Sequence, residues 1–464
     1  MDSLSRETCM VRFLGFDDLI DRMVASGPER GALVLFDGAQ GVRGVSWREL
    51  GALVEARAGE LRNRGCLCEA VLADGSLGCV VEVFSAVRAG VQVALVDPMI
   101  PNDVLGPLLE AVDADGVWAN DSARQEALQA KLAPLRSPEF GARGVLFFTS
   151  GTTSASKAVV LTDESLMASA YNGSSLMPLS EDDTLLCLLP LSHVFGFVCG
   201  LLWGLACGAT VALGRGPRYY ADDLTLFKPT TVSVVPKLLQ YLVARGALVE
   251  ELKLVLVGAA DCGDDLLNAV RARGIRASLG YGLTETSSGI ALSTGDDFHA
   301  MSICPDDEVT IAEDGEILVK APTCVMQGYY RDAEKTASAL VDGVLHTGDK
   351  GFVDDDGLLH VQGRLKDVLT LPGGTKVFLP DYEAAVSAAL GEPDVCVCLN
   401  DGALALVCGT LVHARDDSAI MKAIEPAMAS YPPASRIVRI VRLDHALPRT
   451  PAGDIERWKV NVTK

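Results

Sequence analysis

The sequence predicts an α/β fold: a largely parallel sheet covered by helices on both faces, followed by a β-rich stretch and a small α+β tail. Three observations predict it. Short continuous apolar runs recur up to residue 279 with helix-like stretches between them, which is the pattern of strands buried on both faces. From about residue 307 to 364 the chain becomes β-rich, with Asp-Gly turns at Glu313-Asp314-Gly315-Glu316 and Asp354-Asp355-Asp356-Gly357. Beyond residue 364 come a helix, a hairpin signal, a second helix and a last strand.

Taken in order, residues 16–25 have the spacing of an amphipathic helix, and residues 32–36 read as a strand. Residues 46–64 carry apolar side chains at helical spacing, with Ser46 as N-cap and Gly65 as the stop. Strands follow at 70–73, 92–96 and 116–119, then at 145–148 and 158–161. Further strands are expected at 185–189, 209–213, 231–235, 254–257 and 277–279, with helices at 236–244 and 264–272 among the intervening stretches. In the tail, helices are expected near 382–390 and 418–428, a hairpin turning at Asn400-Asp401-Gly402, and a strand at 437–441. Residues 195–214 hold no charged side chain over twenty positions, long enough to span a bilayer. Gly208 interrupts the helical pattern, so a buried helix and a buried strand are expected instead. Gly196, Gly200 and Gly204 would let that helix approach the sheet closely.

The 464 residues and 49% hydrophobic content support two or three domains around large cores. A formal net charge of -21 argues against nucleic acid or an anionic membrane surface as the main partner. Thirteen cysteines without a C-x-x-C pair read as free thiols in a reducing cytoplasm. The first residues, M-D-S-L-S-R-E-T, lack the shape of a signal peptide.

The stretch that organises the chain is V-L-F-F-T-S-G-T-T-S-A-S-K-A-V-V-L-T, residues 145–162. Two apolar runs flank a loop of Thr149, Ser150, Gly151, Thr152, Thr153 and Ser154, ending at Lys157. Small and hydroxylated residues leave backbone N–H groups uncovered, which suits phosphate, and Lys157 adds a cation. An ordinary hydroxyl-rich hairpin turn draws on the same residues. It is not a Walker loop, because the lysine leads into an apolar strand rather than a helix.

The stretch resembles the phosphate-binding signature S-G-T-T-G-x-P-K-G of the adenylate-forming ligases, the superfamily of acyl- and aryl-CoA synthetases, luciferases and peptide-synthetase adenylation domains. Ser154, Ser156 and Ala158 replace its Gly, Pro and Gly. More segments match in the same order. Leu189-Pro190-Leu191-Ser192-His193-Val194-Phe195-Gly196 resembles P-L-x-H-x-x-G, whose histidine lies by the acyl pocket; a helix-capping histidine is the other reading. Val257-Gly258-Ala259-Ala260 resembles the glycine turn beside adenine. Tyr281-Gly282-Leu283-Thr284-Glu285-Thr286 matches Y-G-x-T-E-T in full. The resemblance places Tyr281 by adenine, Thr284 on phosphate and Glu285 on Mg²⁺. Thr347-Gly348-Asp349 and Gly363-Arg364-Leu365-Lys366-Asp367 complete the series. Asp349 then holds the ribose hydroxyls, Arg364 reaches ribose and phosphate, and Lys366 is the hinge. Ser46-Trp47-Arg48-Glu49-Leu50, Gly315-Glu316-Ile317 and Gly328-Tyr329-Tyr330 fit weaker segments.

The resemblance implies a large N-terminal region, residues 1–364, of two α/β subdomains and a distorted β-barrel, and a small mobile α+β domain, residues 365–464. It implies an ATP-dependent carboxylate–thiol ligase with ATP, Mg²⁺ and the thiol of CoA or of a carrier-protein phosphopantetheine. The position after His193 lacks the aspartate that pairs an α-ammonium group, so a fatty or aryl acid is expected. One departure matters. The closing P-x-S/T-x-x-G-K segment reads Leu447-Pro448-Arg449-Thr450-Pro451-Ala452-Gly453-Asp454, with Asp454 at the lysine position. A charge pair at 4 Å is worth about 4 kcal/mol at an effective dielectric of 20, so the exchange slows adenylation by about two orders of magnitude or more. Three readings remain: slow adenylation with Lys459 or Lys376 substituting, mainly thioester formation, or a catalytically silent nucleotide or acyl-adenylate binder.

Overall fold

The computed structural model describes residues 12–38, 41–132, 144–149, 157–371, 376–400, 403–409, 416–429, 431, 435–449, 455 and 460. Of the sequence readings, the loop residues Ser150, Gly151, Thr152, Thr153, Ser154 and Ser156, the hairpin turn Asp401-Gly402, Lys459 and Asp454 lie outside these, as does the side chain of Lys376.

Two sheets carry the N-terminal region. In the large one, six strands run parallel in the spatial order Arg276–Leu283, Leu254–Val257, Thr231–Val234, Thr184–Cys187, Thr210–Leu213 and Gly31–Asp37. Gly41–Ser46 closes that end as an antiparallel hairpin partner. Its exposed G-V-R-G-V-S sequence has too little apolar alternation to predict a strand. At the other end the direction changes within a single strand. Residues 276–279 of Arg276–Leu283 pair parallel with Leu254–Val257, whereas residues 280–283 pair antiparallel with Ser288–Ser293. The antiparallel series continues through Met301–Ile303, Leu359–Arg364, Val344–Val353, Glu316–Lys320 and Glu308–Ile311. The β-rich part therefore begins before residue 307, and it is hydrogen-bonded onto the large sheet.

The smaller sheet has the order Gly328–Tyr329, Ala158–Thr162, Gly144–Phe148, Gln92–Val96, Cys68–Leu72 and Gly116–Trp118. Its side chains alternate between two cores, as period-two pleating requires. Val71, Val93, Leu95, Val145, Phe147 and Val159 join the main core shared with the large sheet. Ala70, Leu72, Ala94, Val96, Leu146 and Val160 face Leu105, Leu109 and Leu128 from the helices Asn102–Ala111 and Ser122–Gln129. The helix Trp47–Arg64 starts and stops as read: Ser46 accepts from Glu49 N–H, and Gly65 takes a left-handed φ of 66°.

The uncharged stretch is a helix broken by a π-turn at Val198–Leu202, then the strand Thr210–Leu213. A Cβ on Gly204 would lie 2.7 Å from Val211 Cγ2, so the helix packs against the sheet through its glycine. Among the described residues no helix is long and apolar enough to cross a membrane. All twelve described cysteines are free thiols. In the tail, Leu379–Leu390 and Asp417–Ala429 pack with Val395–Asn400, Ala403–Cys408 and Ile437–Arg442 around a core centred on Tyr382, Val397, Leu406 and Ile420.

Candidate functional site

The two strands flanking the Ser/Thr loop form the antiparallel pair that their apolar runs predict. Thr149 N–H donates to the Lys157 carbonyl at 2.9 Å, so the ladder continues past the last strand pair and ties the loop ends together. The Lys157 ammonium lies over the Tyr329 ring, 4.4 Å from its centroid. Tyr329 reaches it because Gly328–Tyr329 is an added edge strand on Ala158–Thr162. Its hydroxyl donates to Glu285 Oε1 at 2.7 Å. Burial, then the Glu285 charge, pushes the Tyr329 phenol up, so it stays a donor at neutral pH.

Glu285 sits in the tight turn Thr284–Thr286, and the surrounding sequence is built to make that turn. A Cβ on Gly282 would fall 1.6 Å from the Ser288 carbonyl oxygen, so only glycine fits. The fully buried Thr286 hydroxyl accepts from Leu283 N–H at 3.0 Å and lies 3.1 Å from the Leu283 and Ser288 carbonyls. Ser287 and Ser288 hold φ of 53° and 107°, strain of the kind stored where a site over-determines its backbone. Thr286 is thus structural, while Thr284 and Glu285 are half-buried at the turn.

On the same strand, Tyr281 donates its hydroxyl to Asp349 Oδ2 at 2.9 Å. Asp349 and Arg364 are cross-strand partners, and Arg364 Nε approaches Asp349 Oδ1 at 3.0 Å. Arg364 Nη1 also donates to the Thr347 carbonyl at 3.3 Å. Asp349 is 5% exposed, whereas the Arg364 side chain is 50% exposed. Burial raises the Asp349 pKa against the pull of Arg364 and the Tyr281 hydroxyl, and the Glu285 charge adds to the rise. Burial, then Asp349, raises the Tyr281 phenol. Lys157, Glu285, Tyr281, Asp349 and Arg364 thus come together from four segments of the chain.

Gly258 ends the neighbouring parallel strand, where ligands of open α/β sheets bind. Phe195 Cζ lies 2.9 Å from where a Cβ on Gly258 would be, and Ala259 takes a φ of 68°. His193 is the N-cap of the helix carrying Phe195, but its side chain caps nothing. It is exposed by surface area, yet the packed protein around it lowers its pKa, with Asp97 opposing. Within the main core lies a cavity of about 30 Å³, lined by Ser169, Val198, Cys199, Trp203 and Leu256 among others. No charged side chain lines it among the described residues. Lys366 is exposed in the turn Leu365–Asp367 that follows Arg364.

Tyr329 and Phe195 are the site residues that sequence reasoning left without a role. Gly328-Tyr329-Tyr330 and the motif containing Phe195 were both visible, but the partners of the two rings lie far away in sequence. Among the described residues no three metal-ligating side chains cluster. A Mg²⁺ here would be held by a hard carboxylate oxygen of Glu285 together with phosphate and water, and a half-buried carboxylate that among the described residues accepts from one hydroxyl suits that.

The model of the family described as AMP-binding enzyme matches residues 20–330. Indoleacetate–CoA ligase of Aromatoleum aromaticum is 31% identical over 357 residues, covering 69% of this chain and 68% of that protein. 2-Succinylbenzoate–CoA ligase of Listeria innocua is 29% identical over 331 residues, covering 68% of this chain and 69% of that protein. In fold, the chain is similar to O-succinylbenzoate coenzyme A synthetase of Bacillus subtilis in complex with AMP, with a TM-score of 0.79 at 22% identity over 96% of this chain and 98% of that one. ATP-bound MatB of Rhodopseudomonas palustris gives the same TM-score of 0.79 at 22% identity, covering 96% and 97%.

Proposed function

Because this chain belongs to the AMP-binding enzyme family, we propose that it is an AMP-forming ligase that joins a fatty or aryl acid to the thiol of CoA. In the first half-reaction a carboxylate oxygen attacks the α-phosphorus of ATP. The bond to the bridging oxygen breaks, and pyrophosphate leaves with its electron pair. In the second, a thiolate attacks the acyl carbon and AMP departs, leaving the thioester.

The observation that carries the reading is the convergence of Lys157, from the smaller sheet, with Glu285, Tyr281, Asp349 and Arg364 from the large one. In this reading Thr149, Ser150, Gly151, Thr152, Thr153, Thr284 and Lys157 hold the phosphates. Tyr281 and the Gly282 and Gly258 backbone border the adenine. Asp349 and Arg364 take the ribose hydroxyls, for which a carboxylate has the acceptors. Glu285 holds Mg²⁺, which neutralises phosphate charge when bound. His193 borders the carboxylate, and the tail beyond Lys366 turns between the half-reactions. Such catalysis rests on positioning and charge neutralisation rather than on proton transfer. Val194, Phe195 and Gly196 follow His193 with no carboxylate among them to pair an α-ammonium group, which supports an acid without an α-amine.

Acid-dependent ATP–pyrophosphate exchange with Mg²⁺, across fatty, aryl and amino acids, tests the reading. Exchange with fatty or aryl acids and CoA-thioester formation are expected; exchange with amino acids alone overturns the acid class. ATP binding without exchange by any acid overturns adenylation. CoA and a phosphopantetheinylated carrier protein, offered in parallel, decide the acceptor. Asp454 bears on the rate. Asp454→Lys is expected to raise ATP turnover at least about tenfold, and no gain removes this residue as the limit on adenylation.

A further inference from the structure

The charged groups of the site include an ammonium and a carboxylate that both contact one buried phenol, the first at its face and the second at its hydroxyl. Lys157 stands over the face of Tyr329 at 4.4 Å from the centroid, and Glu285 accepts from its hydroxyl at 2.7 Å. The two charges form no ion pair with each other, although both side chains are half-buried in a region where opposite charges attract strongly. A direct pair would neutralise both and leave phosphate and metal competing with an internal partner. The phenol meets both charges at once. Its face offers negative potential to the cation, and its hydroxyl offers a proton to the carboxylate.

The ring is held where it can do this. Tyr329 is 5% exposed. Gln327 N–H donates to the Val160 carbonyl at 2.9 Å, and Tyr330 N–H donates to the Ala158 carbonyl at 2.8 Å, which stitches the segment to the strand leaving the Ser/Thr loop. Tyr329 N–H donates to Thr336 Oγ1 at 2.9 Å. A Cβ on Gly328 would fall 2.9 Å from Thr336 Cγ2, so the approach depends on that glycine. The next residue fixes the far side, its hydroxyl donating from Tyr330 to Asp113 Oδ2 at 2.8 Å.

We infer that Tyr329 is a positioning residue that keeps Lys157 and Glu285 apart, so that Lys157 stays available to phosphate and one Glu285 oxygen stays available to Mg²⁺. The inference rests on the nucleotide reading above. The hydroxyl and the ring have separable tasks. The hydroxyl orients Glu285 and so sets the response to Mg²⁺; the ring carries Lys157 and so sets metal-independent phosphate affinity.

The experiment is calorimetric ATP binding by the full chain, as a Mg²⁺ titration and separately in excess EDTA. Tyr329→Phe keeps the buried ring and so preserves the fold. It is expected to raise the Mg²⁺ concentration for half-maximal tightening about tenfold, the scale for losing a partner that orients a metal ligand, with ATP affinity in EDTA unchanged. Tyr329→Leu is expected also to weaken ATP in EDTA about fivefold, and that further loss is expected to vanish in a Lys157→Met background. A Tyr329→Phe protein that responds to Mg²⁺ as the parent does overturns the inference. So does a Tyr329→Leu loss of equal size with and without Lys157, which marks a merely structural ring. A parent chain that binds no ATP under either condition overturns the nucleotide reading first, and this one with it.

Discussion

Asp349 keeps its carboxylate almost wholly buried, with an arginine that is half in water on one side and a phenol on the other. Burial raises its pKa despite both partners, so the ionised form costs the fold something near neutral pH. The ribose contact proposed for Asp349, rather than stability, would then account for the charge. Replacing Asp349 by Asn leaves Arg364 free to hydrate, and the amide oxygen still accepts from Tyr281. The Asp349→Asn protein is therefore expected to melt no lower than the parent at pH 8, while ATP affinity falls about tenfold or more. Thermal melts and ATP calorimetry on the same samples check it; a fall in both makes the carboxylate a structural tie. The residues of this pair were legible in the sequence, because each stands in a motif with its own spacing. The phenol on Lys157 was not, since a cation–π contact leaves no local pattern.

Among the elements, those read most directly were the ones whose burial is complete. The parallel strands Thr231–Val234 and Leu254–Val257 are buried along their whole length, and an apolar run reports that. The strand Arg276–Leu283 was read only as far as residue 279, because its second half exchanges a parallel partner for an antiparallel one and is lined by G-Y-G-L. The helix over the large sheet is buried as its uncharged sequence predicts, and one of its glycines, set against one in the helix Trp47–Arg64, gives a graded test. A Cβ on Gly204 meets Val211 Cγ2 at 2.7 Å and Leu185 Cδ2 at 3.0 Å, both anchored in strands. Overpacking of this kind costs about 1–3 kcal/mol, more than the roughly 1 kcal/mol of helix propensity that alanine returns. Gly204→Ala is expected to lower stability to urea. Gly59, in the helix Trp47–Arg64, has nothing within 4 Å of its virtual Cβ, so Gly59→Ala is expected to raise it. Equal shifts of one sign in the two variants contradict the packing argument.

At the scale of the whole molecule, the chain folds distant segments onto one another through buried polar joints whose charge depends on pH. In one of them Asn172 Nδ2 donates to Asp307 Oδ2 at 2.9 Å and Asn172 Oδ1 accepts from Asp306 N–H at 3.0 Å. Arg12 pairs with Asp306 at 3.2 Å, and the buried thiols of Cys304 and Cys324 lie close enough to feel Asp307. The joint therefore ties the N-terminal approach, the helix Asp163–Leu176 and the loop before the strand Glu308–Ile311. Nothing in the local sequence announced it, because Asp306-Asp307 has the look of a surface turn. Burial, then the Asp306 charge, pushes the Asp307 carboxyl up to about 7 from an ordinary value of 3.8. The folded chain thus holds a proton there across the pH range in which the unfolded chain has released it. Stability from this group is fully present below about pH 4 and is lost as pH rises towards 7, with a slope of at most about 1.4 kcal/mol per pH unit. Asp307→Asn keeps a neutral acceptor for Asn172 and removes the titration. Its denaturation midpoint is expected to exceed the parent's at pH 8 and to match it only below about pH 4, where the unfolded chain is protonated as well. A variant that is destabilised equally at both values shows instead that the carboxylate is ionised and paired in the fold.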